Sequence, residues 1–113
     1  MSTAKIYKLE CLTCPHIFIG ATTKKYLSER ITFYRQEYKR YLSAKLNEEG
    51  YKKYLNIKIE SGNYAIIKLF KLFDSYNVKS FKILLLSEIH HSSPDDLKTQ
   101  LYNYIKNTEC INK

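Results

Sequence analysis

The hydrophobic period of this chain changes twice, and that alternation restricts it to a mixed α/β architecture. Lys5 to Glu10 and Pro15 to Gly20 are short, β-branched and aromatic, and Cys11-Leu12-Thr13-Cys14 between them has about the length of a hairpin connection. Two antiparallel strands are expected there. Thr22 or Thr23 then offers a hydroxyl to cap a helix. From Tyr26 onward Leu27, Ile31, Tyr34, Tyr38, Tyr41/Leu42 and Leu46 recur mostly at spacings of three and four, predicting a helix about twenty residues long that Asn47 and Gly50 end. Tyr51 to Lys58 reads as a loop or a helical turn. Ser61-Gly62-Asn63 opens a second helix with apolar positions Ile66, Ile67, Leu69, Phe70 and Phe73, and Asp74 to Asn77 breaks it. The run Phe81, Ile83, Leu84, Leu85, Leu86 predicts a central strand covered on both faces. Ser92-Ser93-Pro94-Asp95-Asp96 starts a third helix, with Leu97, Leu101, Tyr104 and Ile105 as its apolar stripe. The order ββα(α)βα gives a small α/β sandwich, a single domain over residues 1–113.

Several classes of protein are excluded by what is missing. The longest apolar runs, Ile83 to Leu86 and Ile17 to Ile19, fall far short of the ~20 residues that span a bilayer. Met1-Ser2-Thr3 leads straight into Ala4-Lys5-Ile6-Tyr7 with no apolar stretch of a signal peptide, and three cysteines are an odd number for a disulfide framework. An intracellular setting is therefore expected: cytoplasm, nucleus or, for a viral protein, the virion. The 19 Lys and Arg against 11 Asp and Glu give a net charge of +8, which draws a protein toward phosphate. Codon bias competes with that reading. Lys, Ile, Tyr and Asn, all with A/T-rich codons, fill 46 of the 113 positions, and only three of the 19 basic residues are arginine.

A set of short motifs carries more information than the charge. Lys5-Ile6-Tyr7, then Phe18-Ile19-Gly20 after ten intervening residues, then Arg30 ten positions beyond Gly20 and Tyr34 one turn later, resembles the pattern of the GIY-YIG nucleases. The segment Tyr104-Ile105-Lys106-Asn107-Thr108-Glu109-Cys110-Ile111-Asn112-Lys113 is similar to the C-terminal segment of small GIY-YIG proteins of large DNA viruses. The resemblance implies a three-stranded antiparallel sheet flanked by helices. It implies cleavage of DNA phosphodiesters with one divalent ion on a single glutamate, a first-motif tyrosine that helps activate water, and a second tyrosine and an arginine that support the phosphate.

Transferred position by position, the resemblance points to a damaged site. Tyr7 matches the first-motif tyrosine, Arg30 the catalytic arginine, and Tyr34 a position that carries His or Tyr in the family. Lys5 replaces the glycine that usually opens the first motif. The second-motif tyrosine is Phe18, which has no hydroxyl. The metal-ligand position, four residues before Ile105, is Leu101, whose side chain cannot hold magnesium. Gln100 is neutral and turned about 100° away around the helix, Asn103 offers only an amide oxygen, and Asp96 and Glu109 lie more than a turn off. The remnant site is thus Tyr7, Arg30 and Tyr34, with Phe18 and Leu101 at the lost positions.

No resident cofactor is expected; magnesium would be needed only if cutting survives. Cys11-x2-Cys14 with His16 and Cys110 is the raw material of a Cys3His zinc site, but no second close-spaced pair accompanies it. A Cys11–Cys14 disulfide is disfavoured in a reducing compartment. His90 and His91, as adjacent residues, point apart and read as solvated loop residues. Three functions are in view: a degenerate GIY-YIG domain that binds DNA or other nucleic acid, an active metal-dependent endonuclease with Glu109 or Asp96 as relocated ligand, and a protein-interaction or virion module. Eleven tyrosines favour interfaces in the third case.

Overall fold

Strand β1 (Ser2–Cys11) turns back into β2 (Ile17–Thr22), and three consecutive helices follow: α1 (Leu27–Lys45), α2 (Glu48–Glu60) and α3 (Tyr64–Tyr76). A 3-10 turn at Val78–Ser80 leads into β3 (Phe81–His91), and α4 (Pro94–Lys106) completes the order. The computed structural model describes residues 2–112. Its three strands form one antiparallel sheet in the order β2-β1-β3, so the expected α/β class with a small antiparallel sheet is what the chain adopts.

The strand covered on both faces is β1, not β3. Tyr7, Leu9 and Cys11 of β1 enter the main core with Tyr34 and Tyr41 of α1 and Ile66, Ile67, Leu69, Phe70 and Phe73 of α3. Ala4 and Ile6 point to the opposite face and are buried as well. The element left to cover them is α4, which packs on β2 and β3. Strand β3 lies at the edge, where Leu85 and Leu86 stay 49% and 39% exposed. An apolar run reports low polarity and not position in the sheet, which is why it misled. β3 also carries one residue too many: Ile6 pairs with Ser87 and Tyr7 with Leu85, leaving Leu86 as a bulge.

Helix α1 begins at Tyr26 as N-cap, while Thr22 closes β2 and accepts the Lys24 N–H at 3.0 Å. Helix α1 ends at Lys45 with Leu46 as its C-cap, and Asn47 caps α2, its Oδ1 accepting the Gly50 N–H at 3.0 Å, so Gly50 lies in the first turn of α2 and does not end α1. The segment expected as a loop or turn is therefore a thirteen-residue helix. Its half-buried Tyr51, Tyr54 and Leu55 share one stripe and reach the core, but Ile57 and Ile59 are exposed and blur the period. Ser93 caps α4 through the Asp96 N–H at 3.1 Å with Pro94 opening the first turn, as the sequence predicts.

Two carboxylates tie the helices together. Asp74 of α3 accepts the Tyr38 hydroxyl at 2.5 Å, the Tyr41 hydroxyl at 3.4 Å and Lys45 at 3.1 Å, all from α1. Burial opposes its ionisation, but these hydrogen bonds and the Lys45 charge outweigh that and hold the carboxyl below its ordinary value. Glu37 of α1 is buried between Arg40 at 2.8 Å and Lys58 of α2 at 3.6 Å. Around them the aromatic rings interlock, with Phe73 meeting Phe81 edge-on at 4.9 Å and Tyr41 against Phe70 at 5.2 Å.

The outer edge of β2 is closed by the far end of the chain. The Ile111 N–H donates to Ile17 O at 2.9 Å. The Asn112 side-chain amide accepts from Ile19 N and donates to Ile19 O, both at 2.8 Å, so it stands in for the peptide of a fourth strand.

Candidate functional site

Tyr7, Phe18, Arg30, Tyr34 and Leu101, the residues singled out by the sequence, come from four elements, β1, β2, α1 and α4, and the fold hydrogen-bonds Tyr7, Arg30 and Tyr34 to one another. Tyr7 on β1 and Tyr34 on α1 meet hydroxyl to hydroxyl at 2.5 Å. Arg30, one turn before Tyr34, donates from Nε to Tyr7 Oη at 3.3 Å and from Nη2 to Tyr34 Oη at 3.4 Å. Helical spacing explains the last contact, since residues four apart share a face. Phe33 and Tyr34 flank the guanidinium, its carbon lying 4.3 Å and 5.1 Å from their ring centres.

Register puts Gly20 of β2 opposite Tyr7, and the absence of a side chain there is what lets the tyrosine ring lie flat across the strand. A Cβ built on Gly20 would stand 2.5 Å from Tyr7 Cζ, which no real contact tolerates. Phe18, two residues back on the same face, packs edge-on against Tyr34 at 5.7 Å. It fills the wall of the cluster and adds no polar atom to it.

The electrostatics of the cluster are those of a closed polar knot. Tyr7 is fully buried and Tyr34 is 3% exposed. Burial, then the neighbouring Tyr7, push the Tyr34 phenol well above its ordinary value, and the opposing effect of Arg30 does not compensate. Tyr34 therefore stays a neutral hydroxyl. For Arg30, burial alone would weaken the charge, but its bonds to Tyr7 and Tyr34 prevail and raise its pKa. The half-buried guanidinium keeps Nη1 unengaged among the described residues and available to an anion. The expected water-activating role of Tyr7 meets an obstacle here: its hydroxyl has no accessible surface and is held by two partners.

Leu101 sits on α4, half-buried, outside the main apolar cluster. Gln100 and Asn103 line a separate surface hollow of about 400 Å³ with Tyr104, Asn107 and Thr108, and the Gln100 amide donates to His90 O at 2.9 Å. Asp96 is occupied at the start of α4, accepting the Ser92 N–H at 2.9 Å. Glu109 borders a hollow of about 100 Å³ beside His16 and Cys110. Among the described residues no three His, Cys, Asp or Glu side chains converge as metal ligands would.

Two cysteine and histidine expectations are corrected. Cys11 and Cys14 are joined as a disulfide across the hairpin connection, so neither sulfur is a thiolate for zinc; Cys110 is free. The i, i+3 spacing at a tight turn brings the two Cα atoms to 5.3 Å, within disulfide reach. His90 and His91 belong to β3 and not to a loop, and His91 is buried with Nδ1 3.4 Å from Ser93 O.

Sequence reasoning missed Phe33 beside Arg30, the steric role of Gly20, and Asn112, whose partner lies 93 residues away. Of these, only Gly20 carries a sequence signal, a residue without a side chain inside an expected strand. No helix among the described residues is long and apolar enough to cross a membrane. Comparison with protein-family models, with curated proteins and with solved structures finds no match for this chain.

Proposed function

We propose that this chain is a degenerate GIY-YIG-like domain that binds nucleic acid and does not cut it. The observation that carries the reading is the Tyr7–Arg30–Tyr34 cluster. The three residues that match the nuclease pattern are hydrogen-bonded to one another, around a glycine that the same pattern contains. Residues 27 apart in sequence have no local reason to meet, so their convergence supports the resemblance independently of the motif spacing.

The same geometry argues against turnover. A general base must reach the proton it removes, and Tyr7 Oη is spent on internal bonds inside the core. The position of the metal ligand is aliphatic, and the second-motif hydroxyl is gone. What the cluster retains is a guanidinium with a free edge, on a protein of net charge +8. Binding through phosphates follows from those groups without any chemistry.

The test uses labelled single-stranded and duplex oligonucleotides together with supercoiled plasmid, in magnesium and in manganese. Binding that weakens steeply with salt and no strand scission are expected. Cleavage that depends on the divalent ion and vanishes in Tyr7→Phe or Arg30→Ala would establish the active-nuclease reading instead. Absence of affinity at about 20 mM salt, where counterion release is most favourable, would remove nucleic acid altogether. Leu85 and Leu86, adjacent and exposed on the edge strand β3, favour a protein-interaction module as the second reading. Co-purification with one stoichiometric protein and no nucleic acid would select it.

A further inference from the structure

One groove outside the tyrosine cluster combines charge with an apolar floor. Arg35, Tyr38, Lys39 and Leu42 follow one face of α1 at spacings of three and four, and Val78 and Lys79 of the 3-10 turn face them across a hollow of about 560 Å³. Ion pairs engage six other basic side chains, among them Arg40, Lys45 and Lys58. Arg35, Lys39 and Lys79 have no acidic partner among the described residues. Three cations left uncompensated around one hollow attract an anion of matching extent.

The floor narrows the choice of anion. Tyr38 does not swing freely: its hydroxyl is held by Asp74 at 2.5 Å and its ring lies edge-on to Phe73 at 5.2 Å. Leu42, 41% exposed, and Val78 extend that fixed aromatic surface. A free phosphate or a duplex would use the rim and leave the floor wet, because a duplex hides its base faces. A single strand presents phosphates at one side and unstacked bases at the other.

We propose that this groove binds a single-stranded segment of nucleic acid, with phosphates on Arg35, Lys39 and Lys79 and bases on Tyr38, Leu42 and Val78. The proposal rests on the nucleic-acid reading above and adds the surface and the strandedness. It gives Arg35, Lys39 and Lys79 phosphate-binding roles in addition to that of the Arg30 guanidinium.

The experiment is fluorescence anisotropy with a labelled twelve-nucleotide dT strand and, separately, a duplex of the same length, titrated at several salt concentrations. Arg35→Gln/Lys39→Gln/Lys79→Gln is compared with Lys53→Gln/Lys71→Gln/Lys98→Gln, which removes equal charge from exposed sites elsewhere; circular dichroism checks that both fold. Each phosphate contact on a single strand contributes a slope of about 0.7 in log affinity against log salt, so the groove variant should lose on the order of a hundredfold at 0.1 M salt. Its salt slope should become shallower by about two, and the control variant should bind nearly as the wild type does. Tyr38→Leu should weaken single-strand binding with the salt slope unchanged. Wild-type binding that ignores the groove substitutions, equal loss in both triple variants, or preference for duplex would overturn the groove while leaving the nucleic-acid reading in place. A wild type without affinity for any nucleic acid overturns both.

Discussion

Gly20→Ala is the substitution with the clearest consequence. Alanine in a strand ordinarily gains about 0.5–1 kcal/mol over glycine, because the unfolded chain loses less freedom. At Gly20 the new methyl would stand 2.5 Å from Tyr7 Cζ, about 1 Å or more inside a normal carbon–carbon contact. Tyr7 cannot yield cheaply, since its ring is fully buried and its hydroxyl is bonded to Tyr34 and Arg30. Overpacking of this kind costs about 1–3 kcal/mol, and a disrupted pair of buried hydroxyls adds about 1–3 more. Set against the glycine term, the net destabilisation is about 1–5 kcal/mol, or a melting temperature lower by roughly 4–20 °C for a domain of this size. Urea and thermal unfolding followed by circular dichroism measure it. The control is Tyr7→Leu, which removes the colliding atoms, so that Gly20→Ala in that background should cost less than about 1 kcal/mol. An alanine variant as stable as the wild type, or more stable, would mean that Tyr7 does not lie across Gly20, and the site geometry would fall with it.

Three further outcomes follow from the packing. Asn112→Ala should cost about 1–3 kcal/mol and speed hydrogen exchange at the Ile19 amide above all others in β2, because both 2.8 Å bonds to that peptide are lost; NMR exchange reads this directly. Tyr54→Phe should be neutral or stabilising by up to about 1 kcal/mol in urea unfolding, since the buried Tyr54 hydroxyl has no hydrogen-bond partner among the described residues and its removal leaves none unpaired. Asp74 has a folded-state pKa below its ordinary value, so the stability it contributes is complete above the unfolded value near 3.8 and is lost as pH falls through the lower folded value. Asp74→Asn should therefore flatten the stability profile in that acid window and leave its shape near neutrality unchanged.

The chain announced its local structure more plainly than its neighbourhoods. Ser93-Pro94 and the five apolar positions of α3 were readable because a cap is a matter of adjacent residues and a dense apolar face has nowhere to go but inward. Helix α2 was obscured by Ile57 and Ile59, apolar residues on a solvent face in a chain rich in isoleucine. The edge position of β3 was not readable, since strand order depends on which partner each strand finds and not on its composition. Motif spacing singles out Tyr7, Arg30 and Tyr34, and these side chains do meet; that Tyr7 is sealed from solvent is not legible in sequence, because burial of a strand tyrosine is decided by the helices laid over it. Compartment argues against the Cys11–Cys14 pairing, while the turn geometry that permits it is local.

The dislocation at Leu86 has a bearing on colloidal behaviour. Leu85 and Ser87 would share a face in an unbroken strand, yet they accompany Tyr7 and Ile6, whose side chains point oppositely. An incoming chain that matched the pleat before Leu86 would be out of phase after it, so no flat template longer than Phe81–Leu85 is on offer. An oily rim that would otherwise invite stacking of copies into fibrils is thereby interrupted at its middle. Excising Leu86 would straighten that rim, and faster thioflavin-positive aggregation of the shortened chain is the expected cost.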